Sequence, residues 1–293
     1  MLITQRLEEK TEFSNNEKAV ADYLLEHKDK IRNLSITTIS KDTYTSASTT
    51  VRLAQKCGYQ GWKEFRDAFY SEISYLESHF QKIDANIPFI KNDTIQTITH
   101  KIETLLIDAI KDSAHLIHHD ELQKAVQYLD EATNIYIFAI TNTASITYDF
   151  QYKMRYLFKK VEIIQNPEDL YFVFPSIKKE DCCIFISYSG ETFEIYKRSQ
   201  DIKKIPCHSI SITSLGDNSL IPITDVHFYI STREKLYSKI ANYVTNESIH
   251  YILDVLYSCL FHKHYDENLK MKLSFSKEID SERYSSVSII QEK

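Results

Sequence analysis

Hydrophobic side chains in the first eighty residues recur at the three- and four-residue steps of α-helices. A capping-box spacing at Ser14 marks the start of one helix. Two short helices follow, the second running from Ser46 to a C-terminal stop at Gly58, and Trp62 then opens a longer apolar stripe. Nothing here alternates as a strand would. The pattern predicts an all-helical domain over residues 1–80.

The pattern changes after this domain. Residues 81–93 contain Pro88 and are predicted to form a linker, and two helices follow from residue 94. Five short apolar runs rich in β-forming residues come next, at 135–140, 161–164, 182–187, 208–212 and 226–230. Helical segments separate them, at 146–158, 167–174 and 192–202. Apolar strands alternating with helices are typical of a parallel sheet covered on both faces.

The fold class predicted for residues 94–265 is therefore α/β, a doubly wound parallel sheet. A long closing helix is expected from about residue 236 to 262. The last stretch, residues 266–293, is polar and weakly patterned, and we expect it to be a loosely attached or disordered tail.

The composition of the chain argues against several classes of protein. The chain of 293 residues has a net charge of −6, which argues against wholesale coating of nucleic acid or membrane. No apolar run reaches the length of a membrane span, and the N-terminus does not have the pattern of a signal peptide. The five cysteines lack a CxxC spacing, so we expect reduced thiols in a cytoplasmic protein, with no metal site and no cofactor.

The two short helices on either side of Thr43-Tyr44-Thr45 have the dimensions of a helix-turn-helix. Between Lys41 and Arg66 there are five basic and two acidic residues, a local excess of positive charge. First-turn hydroxyls and an arginine one turn later suit a DNA major groove. The predicted DNA contacts are Ser46, Ser48, Thr49, Arg52, Lys56 and Lys41. The alternative is a helical interaction domain with a serine- and threonine-rich surface helix.

The segment TTISKDTYTSASTTVRLAQKCGYQGWKEFRDAF resembles the N-terminal domain of RpiR-type bacterial transcriptional regulators. Matching positions are Ser46, Thr49, Val51, Arg52, Lys56, Gly58, Gly61, Trp62 and Phe65. One departure is Tyr44, where the family usually has glycine in the turn between the helices. A residue with a side chain there requires a different turn or a strained φ.

A second candidate site is the loop Ser187-Tyr188-Ser189-Gly190-Glu191-Thr192, which follows an apolar strand and opens a helix. A helix N-terminus favours an anion, and three hydroxyls in this loop can converge on phosphate oxygens. No lysine or arginine lies in the loop, so we expect moderate affinity. The alternative is that these hydroxyls only cap the helix.

This loop is similar to the second signature loop of the sugar isomerase (SIS) domain, a flavodoxin-like fold that forms the C-terminal half of RpiR-type regulators. The first phosphate loop departs from the family form G-x-G-x-S, because both glycines are replaced in Ala139-Ile140-Thr141-Asn142-Thr143. We expect a retained but altered phosphosugar site. Its predicted residues are Thr143, Asn142, Ser187, Ser189, Gly190 and Thr192.

The resemblance implies a regulator that binds a double-stranded DNA operator and a phosphosugar effector, and that forms a homodimer or tetramer through its SIS domain. We predict no catalytic residue. One alternative is a sugar-phosphate isomerase or lyase with a helical oligomerisation head, for which Glu247 and His250 are the candidate acid and base. Another is a regulator with a degenerate effector pocket that responds to a partner protein.

Overall fold

The computed structural model describes residues 2–79, 83–166 and 168–280, together with residues 287 and 289. The chain divides into two compact units. The head unit comprises Met1–Leu116, Ser214–Ile221 and Tyr229–Ser248. The sheet unit comprises Ile117–Thr213, Pro222–Phe228 and Ile249–Lys293. Each unit therefore draws on several stretches of sequence.

The head unit begins with five helices: α1 (Ile3–Glu9), α2 (Asn15–Glu26), α3 (Ile36–Asp42), α4 (Ala47–Lys56) and α5 (Trp62–His79). The capping box predicted at Ser14 is confirmed, because Ser14 Oγ accepts the Glu17 N–H and the Glu17 carboxylate accepts the Ser14 N–H. Gly58 follows α4 with a φ of 94°, a left-handed conformation that suits glycine. Helix α1 carries no strong pattern and was not among the predicted helices.

The core of these helices is made of the apolar stripes that the sequence predicts. Leu24, Leu53, Phe65 and Phe69 are fully buried. Trp62 stacks on Phe65, with 5.7 Å between the ring centroids. Burying a side chain of this size contributes about 2 kcal/mol relative to leaving it exposed. These contacts fix the positions of α3 and α4, the two helices that flank the predicted turn.

The predicted linker is packed from residue 83 onward, while its residues 81 and 82 lie outside the described part of the chain. Ala85 and Asn86 are buried, and Asn86 Oδ1 accepts the Lys235 N–H at 2.6 Å. Helix α6 (Ile95–Leu116) follows in the same unit. The segment between the two predicted domains is thus an ordered part of the head unit.

The sheet has five strands: β1 (Asn134–Phe138), β2 (Lys160–Ile164), β3 (Cys182–Ile186), β4 (His208–Ser214) and β5 (Val226–Ile230). All five coincide with the predicted apolar runs. Their order is β2-β1-β3-β4-β5, and β1 pairs in parallel with both β2 and β3. The predicted doubly wound, flavodoxin-like α/β fold is confirmed.

The remaining helices are α7 (His119–Glu131), α8 (Thr141–Met154), α9 (Asp169–Val173), α10 (Phe193–Ile202), α11 (Tyr243–Lys263) and α12 (Tyr265–Asp280). The start predicted for α11 near residue 236 is wrong by seven residues. The buried Glu234 carboxylate accepts the Val244 N–H at 2.6 Å and so caps the helix there. Leu236, which suggested a helical stripe, is 69% exposed.

Helix α12 differs from the expected irregular tail. Phe275 packs near Phe158, and the Lys272 ammonium lies 4.1 Å from the centre of the Tyr156 ring. These contacts hold the helix against the end of α8, so the stretch is ordered at least to Asp280. Among the described helices, none is long and apolar enough to cross a membrane.

Candidate functional site

The turn between α3 and α4 contains a strained residue. Tyr44 has a φ of 52°, and its side chain is 97% exposed. A residue with a Cβ pays about 1–2 kcal/mol for this left-handed conformation. The turn therefore has a strained φ at Tyr44, in a conformation that glycine adopts at no steric cost.

Three hydroxyls meet at the start of α4. Ser46 Oγ lies 2.8 Å from Ser48 Oγ and 2.9 Å from Thr49 Oγ1. Ser46 and Ser48 are exposed, whereas Thr49 is only 1% exposed. The first N–H groups of a helix lack partners within the helix and carry partial positive charge. The exposed part of this turn can therefore donate to an anion or to base edges, with Thr49 supporting it from inside.

Two cations lie near this hydroxyl cluster. Arg52 is exposed one turn further along α4, and its Nη2 lies 3.5 Å from Thr49 Oγ1. Lys41 is exposed in the last turn of α3. An arginine in this place can donate two hydrogen bonds to one guanine. Ser46, Ser48, Arg52 and Lys41 thus form the exposed part of the predicted DNA contacts near the start of α4, and Lys56 is exposed at the other end of that helix.

Lys56 has partners inside the protein. Its ammonium lies 2.8 Å from the Glu17 carboxylate, which is buried, and it also donates to the Glu12 carbonyl oxygen. Burial raises the pKa of Glu17, but the hydrogen bonds from Lys56 and Ser14 outweigh burial and hold that pKa below its ordinary value. Lys56 therefore ties the end of α4 to α2, an interaction that local sequence patterns do not reveal.

The predicted effector loops meet at one place in the sheet. The loop after β1 opens α8, and the loop after β3 opens α10. Because β1 and β3 are neighbours and the chain leaves β1 for β2 on the opposite side, the order of strands reverses between them. Open α/β sheets bind ligands in the crevice at such a reversal, outside the carboxyl ends of the strands. The structure brings the two loops to the two sides of this crevice.

The second loop holds its hydroxyls in a closed set of hydrogen bonds. Ser187 Oγ lies 2.8 Å from Thr192 Oγ1 and accepts the Gly190 N–H at 3.1 Å. Ser189 Oγ accepts the Glu191 N–H at 3.1 Å. Gly190 has a φ of 70°, so glycine is needed for this curl. These hydroxyls can be redirected to phosphate oxygens. Their bonds lie within the loop, and Thr192, the N-cap residue of α10, makes no side-chain capping hydrogen bond.

The first loop keeps a glycine-like backbone without glycine. Thr141, at the place of the second family glycine, has a φ of 51° and is exposed. Thr143 Oγ1 donates to the Ile140 carbonyl oxygen at 2.8 Å, and Asn142 is exposed. A β-branched residue in this conformation is strained, and strain of this kind concentrates at binding sites. Thr141 therefore holds a left-handed conformation that glycine would adopt without strain.

A cation near the first loop was missed by the sequence analysis. A small cavity of about 20 Å³ is lined by Ile140 of the first loop, Asn166 after β2 and Arg198 on α10. Arg198 lies six residues beyond the loop motif, so a search within the motif does not find it. It places a cation beside the first loop, where Glu194 lines the same cavity and Asp201 lies 3.9 Å from the Arg198 guanidinium.

His250 belongs to an ion-pair network on α8 and α11. Its Nε2 lies 3.1 Å from Asp149 Oδ2 and 3.9 Å from Asp254 Oδ2. These three donors could surround a metal ion, but the Lys153 ammonium already pairs with both carboxylates. Hydrogen bonding from Lys153 holds the pKa of Asp149 below its ordinary value. Glu247, the other candidate acid or base, lies in the head unit.

Two protein-family models match the chain. The helix-turn-helix domain of the rpiR family matches residues 1–75, and the SIS domain matches residues 128–258. An HTH-type transcriptional regulator of Caldanaerobacter subterraneus subsp. tengcongensis is 23% identical over 261 residues, which covers 87% of this chain and 88% of that protein.

Solved structures share the fold at low identity. The NanR protein of Vibrio vulnificus, complexed with ManNAc-6P, gives a TM-score of 0.58 at 20% identity and covers 96% of this chain and 99% of its own. A candidate sugar-phosphate isomerase of Listeria monocytogenes gives 0.53 at 18% identity, covering 59% of this chain and 94% of its own. A helix-turn-helix domain of the rpiR family and a SIS domain thus occur in one chain, the combination that the resemblance to RpiR-type transcriptional regulators implies.

Proposed function

We propose that this protein binds double-stranded operator DNA through the first turn of α4 and that a phosphosugar in the β1/β3 crevice modulates this binding. The observation that carries the proposal is the exposed cluster of Ser46, Ser48 and Arg52 at the start of α4. The buried face of α4, with Leu53 and Ala54, anchors the helix while this turn faces solvent. A short helix of this kind enters the major groove with its N-terminal residues on the bases.

Substitution of Arg52 tests the DNA-binding part of the proposal. We expect Arg52→Ala to weaken operator binding by about 1–3 kcal/mol and to relax base preference at one position per half-site. Lys18→Ala is a matched control, since it also removes one exposed positive charge, but from α2. Lys18 is next to Glu17, which pairs with Lys56 at the opposite end of α4 from the proposed DNA contacts. Genome-wide footprinting would supply the operator, and gel-shift titration of both variants would measure the change. Equal losses in both variants would contradict this assignment.

The predicted dimer gives the operator its symmetry. Two heads from one homodimer or tetramer would place two copies of α4 on half-sites about 34–36 Å apart, or a multiple of that spacing. Ser46, Ser48, Arg52 and Lys41 would then contact DNA twice. Sedimentation of the protein with and without operator would measure the assembly, and a footprint without two-fold symmetry would contradict this part.

The effector part rests on hydroxyls and helix N-termini at the crevice. Phosphate oxygens would accept from Ser187, Ser189, Thr192 and the Gly190 N–H, with Asn142 and Thr143 of the first loop on the other side. Arg198, which lines the small cavity beside the first loop together with Glu194, would add a positively charged donor. The NanR complex with ManNAc-6P supports a phosphosugar as the ligand class.

A panel of sugar phosphates tests this effector site. We expect one member to change operator affinity and Ser189→Ala to weaken that ligand about fivefold, through loss of one hydrogen bond. Ser199→Ala removes a hydroxyl from α10 that bonds within the helix to the Tyr196 carbonyl oxygen, so it serves as the control. An equal response of Ser189→Ala and the parent would favour a degenerate pocket.

We propose further that the chain is a cytoplasmic regulator and not an enzyme. His250 pairs with Asp149 and Asp254, which supports a structural role for it rather than proton transfer. Aldose–ketose turnover by the purified chain, abolished by Glu247→Gln or His250→Gln, would overturn the assignment.

A further inference from the structure

Two cysteines of the sheet unit lie side by side at the amino-terminal end of the sheet. Cys183 belongs to β3, and Cys207 directly precedes β4. Because Cys183 pairs with Ser209, two residues beyond Cys207, both side chains lie on the same face of the sheet. Their sulfur atoms are 3.9 Å apart.

The two thiols differ in their access to solvent. Cys183 is fully buried, whereas Cys207 is partly exposed in the wall of a cavity of about 290 Å³. Phe185, Ser209 and Asp225 also line this cavity. Such a volume admits water and small polar molecules. A small reagent can therefore reach Cys207, and Cys183 lies directly behind it.

The shared hydrogen bond favours a thiolate at Cys207. The Cys183 thiol donates to the Cys207 sulfur, which lowers the pKa of Cys207. The same contact, together with burial, raises the pKa of Cys183. The thiolate is the reactive form of cysteine, so the exposed member of the pair is also the more nucleophilic one.

We propose that Cys207 and Cys183 form a peroxide-reactive thiol pair, in which Cys207 is oxidised first and Cys183 completes a disulfide. The Cys207 thiolate attacks one oxygen of hydrogen peroxide, and the O–O bond breaks. Hydroxide is the leaving group, and Cys207 becomes a sulfenic acid. The Cys183 sulfur then attacks the Cys207 sulfur. The S–O bond breaks, and water leaves with the Cys183 proton. The pair loses two electrons, and the peroxide gains them.

The geometry allows the second step with a small movement. A disulfide requires about 2.05 Å between the sulfur atoms, so the two must approach by about 2 Å. Cys207 lies outside the paired register of β4, where its backbone can adjust more easily than that of Cys183 inside β3. The product would tie the beginning of β4 to β3, at the opposite end of β3 from the effector loop.

Thiol counting on the full-length protein tests the pair. The purified chain would be treated with hydrogen peroxide, denatured and alkylated, and its mass and peptides measured. We expect two of the five thiols to escape alkylation, so that the treated protein is lighter than the alkylated control by two alkyl groups, and a cross-linked peptide that joins Cys183 to Cys207. Dithiothreitol should restore both thiols.

Variants separate the roles of the two sulfurs. Cys207→Ser should abolish the loss of thiols, whereas Cys183→Ser should leave a Cys207 sulfenic acid that dimedone traps. Cys259→Ser is the control, because Cys259 is also partly exposed but burial raises its pKa. Thiol loss in Cys207→Ser at the parental rate, or dimedone labelling of Cys259 equal to that of Cys207, would overturn the proposal. Circular dichroism of each variant would confirm that it is folded.

Discussion

The N-terminal turns of α4 and α10 are both candidate anion-binding sites, but their chemistry differs. Both carry hydroxyls that bond to each other, Ser46 to Ser48 at α4 and Ser187 to Thr192 at α10. At α4 the hydroxyls are exposed and Arg52 stands one turn away. At α10 Ser187 is buried, and the loop itself contains no cation.

This difference separates two kinds of anion binding. An exposed turn with nearby cations suits a polyanion, whose counterions are released on binding. A half-buried turn with neutral donors suits a small phosphate, since each hydrogen bond gains strength where water is excluded. In the proposed function, one chain would use helix N-termini for DNA and for a metabolite, and the surrounding charge and burial would separate the two uses.

Salt concentration should affect the two sites very differently. If Arg52 and Lys41 of two heads bring four positive charges to the DNA and displace four counterions, operator affinity should fall about a hundredfold between about 50 and 200 mM salt. Binding of the phosphosugar should change less than about threefold, because its main donors are neutral and partly buried. Fluorescence anisotropy and calorimetry over the same salt series would measure both. If both affinities depended equally on salt concentration, the proposed difference between the two sites would be contradicted.

The opposite end of α4 provides the next test. Lys56→Met should lower the free energy of unfolding of the head by about 2 kcal/mol at neutral pH, less than for a fully buried pair because Lys56 is partly exposed. In the parent, the pKa of Glu17 is lowered on folding, so its contribution to stability is present above its ordinary pKa and is lost as the pH falls through the lowered value.

In the variant, burial without Lys56 should raise the pKa of Glu17, and the difference in stability between parent and variant should shrink toward acid pH. Urea unfolding at several pH values would measure this trend. Lys63→Met, an exposed lysine on α5, is the control and should change stability by less than about 0.5 kcal/mol. If Lys56→Met lowered the free energy of unfolding by an amount that did not vary with pH, the stabilising role assigned to the ionised Glu17 carboxylate would be contradicted.

The smallest effects concern the two strained positions, one in each region. Tyr44→Gly and Thr141→Gly should each stabilise the protein by about 1 kcal/mol, because glycine adopts a positive φ without steric cost. Thr143→Gly, within α8, is the control and should destabilise by a similar amount. Thermal unfolding would measure all three. Destabilisation in Thr141→Gly would show that its side chain stabilises the first loop.

Much of the fold could be predicted because its signals are local. Short runs rich in β-forming residues identified all five strands, and serines at the N-cap positions marked the starts of α2, α3 and α4, although the Ser46 hydroxyl makes no capping bond to α4. The start of α11 was misplaced because Leu236 mimics a buried stripe, while the true cap, Glu234, bonds to a residue ten positions away. Spacing alone does not distinguish an exposed leucine from a buried one.

The candidate site was predictable as a set of segments but not as a set of contacts. The pair of Lys56 and Glu17 joins residues 39 positions apart, which no local pattern connects. The burial of Thr49 could have been expected, since it lies four residues before the buried Leu53 on one helical face. The positive φ of Thr141 is a property of the folded backbone, which a threonine in the sequence does not suggest.

Trp62 gives experiments on this molecule a selective signal. It is the single tryptophan of the chain, and it is buried against Phe65 beside the end of α4. Its emission spectrum will shift when that packing is lost, whatever happens in the twenty tyrosines elsewhere. Melting of the helices proposed to bind DNA can therefore be followed optically in the intact protein, without labels and without cutting the chain.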